Sequence, residues 1–302
     1  MLTTRHALLK KRLNRFTRCL HGVETGDTRA VHAARVASRR LRELLPLLQL
    51  DPAVTSKLGR RLRKVTSRLG RLRETDVLHL LTEELHEAGR LDDGSLRRIG
   101  AAVDHERARA LRRALGRGPA AELERTARKL ERIARDLDAS ADDDRTPQSA
   151  RAWRWAAEAR VARRAAALAD AVDFAGGVYL TERLHAVRIG IKKLRYAVEL
   201  AGDIAGARPR ADLRQLKRLQ DLLGRMHDLE MLIDRVRQTQ AMAVADLAAW
   251  RRFDTLVRTL ENNCRRLHAR YVRERAGLVA LCERLSPRRA ARRAAAARGQ
   301  VG

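Results

Sequence analysis

The sequence predicts an all-α protein assembled from two similar halves, and three observations predict it. Ala and Leu dominate a chain of 302 residues that has only 3% aromatics and 6 prolines, a composition of helix formers with few breakers. No run of alternating β-branched residues is long enough to make a sheet. The stretch VHAARVASRRLR, Val31 to Arg42, returns as LHAVRIGIKKLR, Leu184 to Arg195, which makes the second half a likeness of the first. A chain of this length can bury a sizeable core as one large domain or as two halves packed together, and the repeat favours the second.

The first element is an amphipathic helix from Leu2 to about Val23, with Leu8, Leu9, Leu13, Phe16 and Leu20 on its apolar side and Gly22 and Gly26 closing it. Asp27 or Thr28 caps the next helix, which carries the first copy of the repeat and is kinked near its end by Pro46. After the Asp51-Pro52 break comes SKLGRRLRKVTSRLGRLRETDVLHLL, and it too has a partner, DLRQLKRLQDLLGRMHDLEMLI from Asp212. With Leu69-Gly70-Arg71 set against Leu223-Gly224-Arg225, Arg73 meets His227, Glu74 meets Asp228 and Asp76 meets Glu230. Each half therefore reads as a basic helix, a turn, a second basic helix, then a junction at the Leu-Gly pair into an acidic element.

Further helices are expected at about Leu91 to Leu115, Ala120 to Leu137, Ser149 to Phe174, and Val244 to Leu285 with breaks, with a turn at Gly116 to Pro119. The acidic stretch 138–149, with Pro147, reads as the linker between a first half of about 1–137 and a second of about 150–285. From Ser286 to Gly302 the chain is a basic Arg/Ala tail, expected to be disordered alone and to order on a polyanion.

On a helical wheel of about 100° per residue, His32, Arg35, Arg39 and Arg42 share a sector of roughly 80°, beside Val31, Ala34, Leu41, Leu45 and Leu48. His185, Arg188, Lys192 and Arg195 repeat that wheel beside Leu184, Val187, Ile191, Leu194 and Val198. A merely solvated face mixes signs, and the first basic edge contains no acid. Arg40 and Lys193 stand about 80° from their histidines, which leaves a purely solvent-facing role open for them. A lone helical histidine is most often structural; two at equivalent positions inside basic edges point to binding.

The formal charge of +28, from 65 Lys and Arg against 37 Asp and Glu, implies a polyanionic partner: nucleic acid, an anionic membrane surface or inorganic polyphosphate. No segment approaches the roughly 20 apolar residues of a membrane span, and the N-terminus lacks a secretory pattern. The 3 cysteines, Cys19, Cys264 and Cys282, have no metal-clip spacing and read as thiols of a reducing cytoplasm. Nothing points to catalysis, to a cofactor or to a metal. There is no G-x-S-x-G and no P-loop, and His79 and His86 lack H-E-x-x-H spacing. Glu74, Asp76, Asp228 and Glu230 are expected to cap helices or to pair with arginines and hold them straight.

With both copies in view, the sequence resembles the CHAD family, the conserved histidine α-helical domain, over most of residues 1–285. V-H-A-A-R-V-A-S-R-R-L-R, L-H-A-V-R-I-G-I-K-K-L-R-Y and the two L-G-x-x-x-[DE] junctions carry the likeness. The first junction reads Arg-Glu-Thr-Asp where the family tends to Arg-Asp, and His227 stands where Asn is usual. The resemblance implies two pseudo-symmetric helical bundles around a basic central groove or channel that binds inorganic polyphosphate, and association with cytoplasmic polyphosphate granules and their proteins.

A polyphosphate binder needs cationic donors in a line: Arg forks take two phosphate oxygens together, and Lys supplies adjustable point charges. His32, Arg35, Arg39, Arg40, Arg42, His185, Arg188, Lys192, Lys193 and Arg195 form the expected contact set. Arg60, Arg63, Lys64, Arg214, Lys217 and Arg218 form the expected facing wall. The rivals are an architectural nucleic-acid binder, disfavoured because stacking aromatics are sparse, and a phosphohydrolase or phosphotransferase, which needs a divalent-metal site from the four junction acids.

Overall fold

The computed structural model describes residues 4–89, 93–115, 117–139, 146–242 and 246–287, and among them every regular element is helical. The centre of the acidic linker and all but the first two residues of the basic tail lie outside the described residues.

The expected first helix is two: α1 (Arg5–Thr17) and a short α2 (Leu20–Glu24). Gly22 does not close α2 but lies within it. A Cβ there would sit 2.5 Å from the Ala30 Cβ, so the missing side chain is what lets α2 rest on α3 (Thr28–Leu44). Gly26, at φ 75°, makes the actual turn. Asp27 caps α3, accepting from the Arg29 and Ala30 amides at 3.2 and 3.0 Å. Pro46 ends α3 rather than kinking it, within a 3₁₀ turn at Leu45–Leu47.

Asp51 caps α4 (Pro52–Glu87), a single helix of 36 residues with Pro52 in its first turn. The expected junction at Leu69-Gly70 is not a break: the helix runs straight through into the acidic stretch. The same holds at Leu223-Gly224, inside the helix Arg210–Met242. After α4 come α5 (Asp93–Leu115), α6 (Arg117–Ala139), α7 (Pro147–Ala175), α8 (Thr181–Ala205), α9 (Arg210–Met242) and α10 (Leu247–Leu285). Gly118 and Pro119, expected in a turn, fall inside α6, and α10 is continuous where breaks were expected. Gly206, left-handed at φ 70°, closes α8.

The described residues gather into two compact units. One takes those within 6–139 and 228–264; the other takes those within 140–227 and 265–287, with Thr4 and Arg5. The late part of α9 and the early part of α10 therefore belong with α1 to α6. In the first unit the core is Leu8, Leu9, Phe16, Val31, Leu41, Leu58, Leu62 and Phe253, each fully or almost fully buried. In the second, Leu168, Val172, Val187, Ile191, Leu194, Leu216 and Tyr271 play that part. Burial of this kind, at about 25 cal/mol per Å² of apolar surface, holds each unit together.

Candidate functional site

The apolar half of each repeated edge is buried as the wheel requires. Val31, Ala34 and Leu41 are 0% exposed, and Leu184, Val187, Ile191, Leu194 and Val198 are at most 2% exposed. The ten cationic positions beside them all reach solvent. His32 and Lys193 are exposed, and Arg35, Arg39, Arg40, Arg42, His185, Arg188, Lys192 and Arg195 are half-buried. Packing of the greasy stripe thus fixes where the charges stand.

The Leu-Gly pairs explain how the edges meet the next helix. The Arg35 guanidinium lies across α4 and donates from Nη1 to the Leu69 carbonyl at 2.9 Å. A Cβ on Gly70 would come within 3.1 Å of that nitrogen. In the second copy, Arg188 Nε lies 4.0 Å from where a Gly224 Cβ would be. At Gly70 the arginine of the preceding helix passes closely over the backbone, whereas at Gly224 the contact is an ordinary one. His185 sits against His227 of α9, with ring centroids 4.8 Å apart.

Arg195 behaves differently. Its Nε donates to Gln220 Oε1 at 2.9 Å and its Nη1 pairs with Glu199 one turn on, so it clasps α8 to α9. The matching position to Glu199 in the first half is Pro46.

The six expected wall residues are all exposed, and on each helix the three span a sector of about 100°. Relative to Gly70, Arg63 is about 20° away on the wheel, Arg60 about 80° and Lys64 about 120°; Lys217, Arg214 and Arg218 stand likewise to Gly224. Lys64 turns to α6, where Glu122 meets it at 3.4 Å and also pairs with Arg68. Arg218 turns to α10 and donates to Glu274 at 2.9 Å. Lys64 and Arg218, at equivalent places in the two copies, are thus each met by an acid of a flanking helix. Lys217 pairs with Asp221 on its own helix at 2.6 Å, and Arg60 donates to Ser56 at 3.0 Å.

Two clefts in the first unit share His32. Between α1 and α3 a cleft of about 410 Å³ is lined by Arg12, Arg15, Arg18, His32 and Arg40. Arg12, only 4% exposed, donates to the Arg40 carbonyl at 2.7 Å. Arg40 thus faces a basic cleft rather than open solvent alone. On the other side of His32, α3, α4 and α5 enclose about 460 Å³ lined by Arg29, His32, Arg73, Asp76, His79 and Arg107. The buried Asp76 accepts from Arg107 Nε at 2.8 Å, the pairing expected of a junction acid.

The arginines of α1, with Arg73 and Arg107, were not among the expected site residues. The signal for α1 was present: Arg12 and Arg15, with Arg18 just past its end, recur every three residues, and the helix contains no acid. Arg107 had no such signal, since only the packing of α5 on α4 brings it to Asp76.

Among the described residues no group of three His, Cys, Asp or Glu is placed to hold a metal ion. Cys264 and Cys282 are buried and Cys19 is half-buried. Burial pushes the Cys19 thiol up, against the opposing field of Arg18, which is the wrong direction for a nucleophile. No described helix is long and apolar enough to cross a membrane.

Residues 7–237 match a family model described as the CHAD domain. The chain is also similar to a solved structure, the crystal structure of the CHAD domain from the plant Ricinus communis. That likeness has a TM-score of 0.58 at 21% identity over 94% of this chain and 93% of that one, and it speaks to the fold. No curated protein matches the chain.

Proposed function

The chain belongs to the CHAD family, and from that premise we propose that it binds inorganic polyphosphate through the basic edges of α3 and α8. On this reading the two halves descend from one duplicated unit, the protein does not turn its ligand over, and binding tethers it to polyphosphate granules in the cytoplasm. The observation that carries the reading is the division of each edge. Its apolar stripe is wholly committed to the core, while its histidine, arginines and lysines stay within reach of solvent. A chain of phosphates with no bases asks for cations in a line and nothing to stack on. Neither edge offers an exposed Phe, Tyr or Trp ring: Tyr196 of α8 is buried, and the exposed Trp155, Phe174 and Trp250 belong to α7 and α10.

The test is a competition at physiological salt. Protein bound to long-chain polyphosphate is challenged with duplex DNA at equal phosphate equivalents. It is repeated with Arg39, Arg42, Lys192 and Lys193 changed to Gln, and with four tail arginines changed as a control for charge. Polyphosphate should survive the challenge, and only the edge variant should lose it. If DNA competes evenly and both variants weaken alike, the charge acts generically and the reading falls. Phosphate release that stops on mutating Asp76 and Glu230 would instead favour an enzyme.

A further inference from the structure

The cleft between α3, α4 and α5 holds a feature that a binder of internal phosphates does not need. Its volume of about 460 Å³ lies within the roughly 300–1,000 Å³ span of ligand clefts. Arg29, Arg73 and Arg107 make it cationic, with His32 beside them, yet Asp76 is set among them, 3% exposed. One carboxylate oxygen, Oδ1, is taken by Arg107. The other, Oδ2, is shut away from solvent and has no hydrogen-bond partner. A buried, unmatched carboxylate oxygen is costly, and it can only accept. His79 is turned to Asp104 and Glu83, at 3.3 and 3.4 Å, and does not serve it.

An internal phosphate of a polyphosphate chain has no hydrogen to offer and would be repelled by Asp76. A terminal phosphate differs, because its last proton leaves only near pH 6, as in a phosphate monoester. It presents anionic oxygens and a P–O–H together. The geometry points to this cleft as a site for a terminal phosphate group, its anionic oxygens on Arg29, Arg73 and His32 and its hydroxyl donating to Asp76 Oδ2. The terminal torsion of an aspartate is soft, so a modest rotation of the carboxyl presents Oδ2 to the cleft. The inference rests on the polyphosphate reading and adds chain-end recognition to it. Free phosphate offers the same chemistry as a chain end.

The test compares linear tripolyphosphate with cyclic tetrametaphosphate, which carries a similar charge and has no end, by titration calorimetry at pH 6.5 and fixed salt. Orthophosphate is the third arm. The parent protein should prefer the linear form by about tenfold or more, the factor one charge-assisted hydrogen bond is worth. The preference should collapse in Asp76→Asn, whose amide donates where the carboxylate accepted, and shrink in Arg73→Gln. Equal affinity for linear and cyclic forms in the parent overturns the inference, whether or not Asp76→Asn folds. Orthophosphate that competes on a par with tripolyphosphate assigns the cleft to any terminal phosphate; much weaker competition assigns it to chain ends. Long-chain polyphosphate that fails to bind at all marks failure of the underlying reading. Long-chain binding without a linear preference sinks only the end site.

Discussion

Gly59 and Gly70 lie inside α4 and Gly224 inside α9, so replacing each with alanine should bring the same intrinsic helix gain of about 0.8–1 kcal/mol. Their surroundings separate them. A Cβ at Gly59 meets nothing within 4 Å, and one at Gly224 meets Arg188 Nε at 4.0 Å, an ordinary contact. At Gly70 it would crowd Arg35 Nη1 at 3.1 Å, the atom that donates to the Leu69 carbonyl at 2.9 Å. A hydrogen bond from a charged donor contributes about 1.5–3 kcal/mol, so losing half of it cancels the helix gain. Gly59→Ala and Gly224→Ala are therefore expected to stabilise by about 0.5–1 kcal/mol, and Gly70→Ala to be neutral or to cost about 1 kcal/mol. Urea unfolding followed by far-ultraviolet circular dichroism reads the differences from the midpoints, provided the slopes agree. If Gly70→Ala stabilises as much as Gly59→Ala, Arg35 is not pinned across α4 and the account of the Leu-Gly pairs is wrong.

Burial pulls the His268 imidazole below its ordinary 6.5. The unfolded chain then takes up a proton that the folded one resists, so stability is complete above pH 6.5 and falls as pH drops below it. Denaturation midpoints at pH 5 and 8 should converge in His268→Gln, and an unchanged pH slope would count against the assignment. The Tyr271 hydroxyl is buried without a partner, and burial, opposed by Arg275, pushes its pKa up to about 12. Tyr271→Phe should be neutral or stabilising by about 1 kcal/mol, since it removes an unmatched polar group; a clear loss of stability would mean the hydroxyl is bonded. On the proposed function, polyphosphate affinity should rise as pH falls from 8 to 6, the range in which a histidine side chain can gain charge beside a polyanion. The rise should vanish in the double variant His32→Ala, His185→Ala. An affinity flat with pH in parent and variant alike removes the histidines from the site.

The buried stripes of α3 and α8 were legible because the helical period alone decides which side of an amphipathic helix faces a core, whatever that core contains. The Leu-Gly pairs were not. A lone glycine within a helical pattern reads as a break, and what Gly70 does depends on Arg35, which the chain delivers from a different helix. Gly22 misled for the same reason, its role being set by Ala30 across the α2–α3 contact. The grouping of residues 228–264 with α1 to α6 was equally hidden. α9 and α10 are unbroken helices, and nothing in a continuous heptad-like pattern marks the point at which its packing partner changes.

The cations sort by what meets them. Lys64 faces Glu122 and Arg218 faces Glu274, so at equivalent places on α4 and α9 an acid from a flanking helix compensates the charge. Arg35 donates to a neutral carbonyl, a partner that orients a guanidinium without cancelling its charge. A polyanion gains most from charges of the second kind, because taking up the first requires breaking an existing ion pair. Arg195 is engaged by Gln220 and Glu199, and the position that matches Glu199 in the first half is Pro46. The first edge also has a basic cleft on each side of His32, fed by arginines of α1, α4 and α5. The two basic clefts beside His32 are a feature of the α3 edge that duplication of the motif alone would conceal.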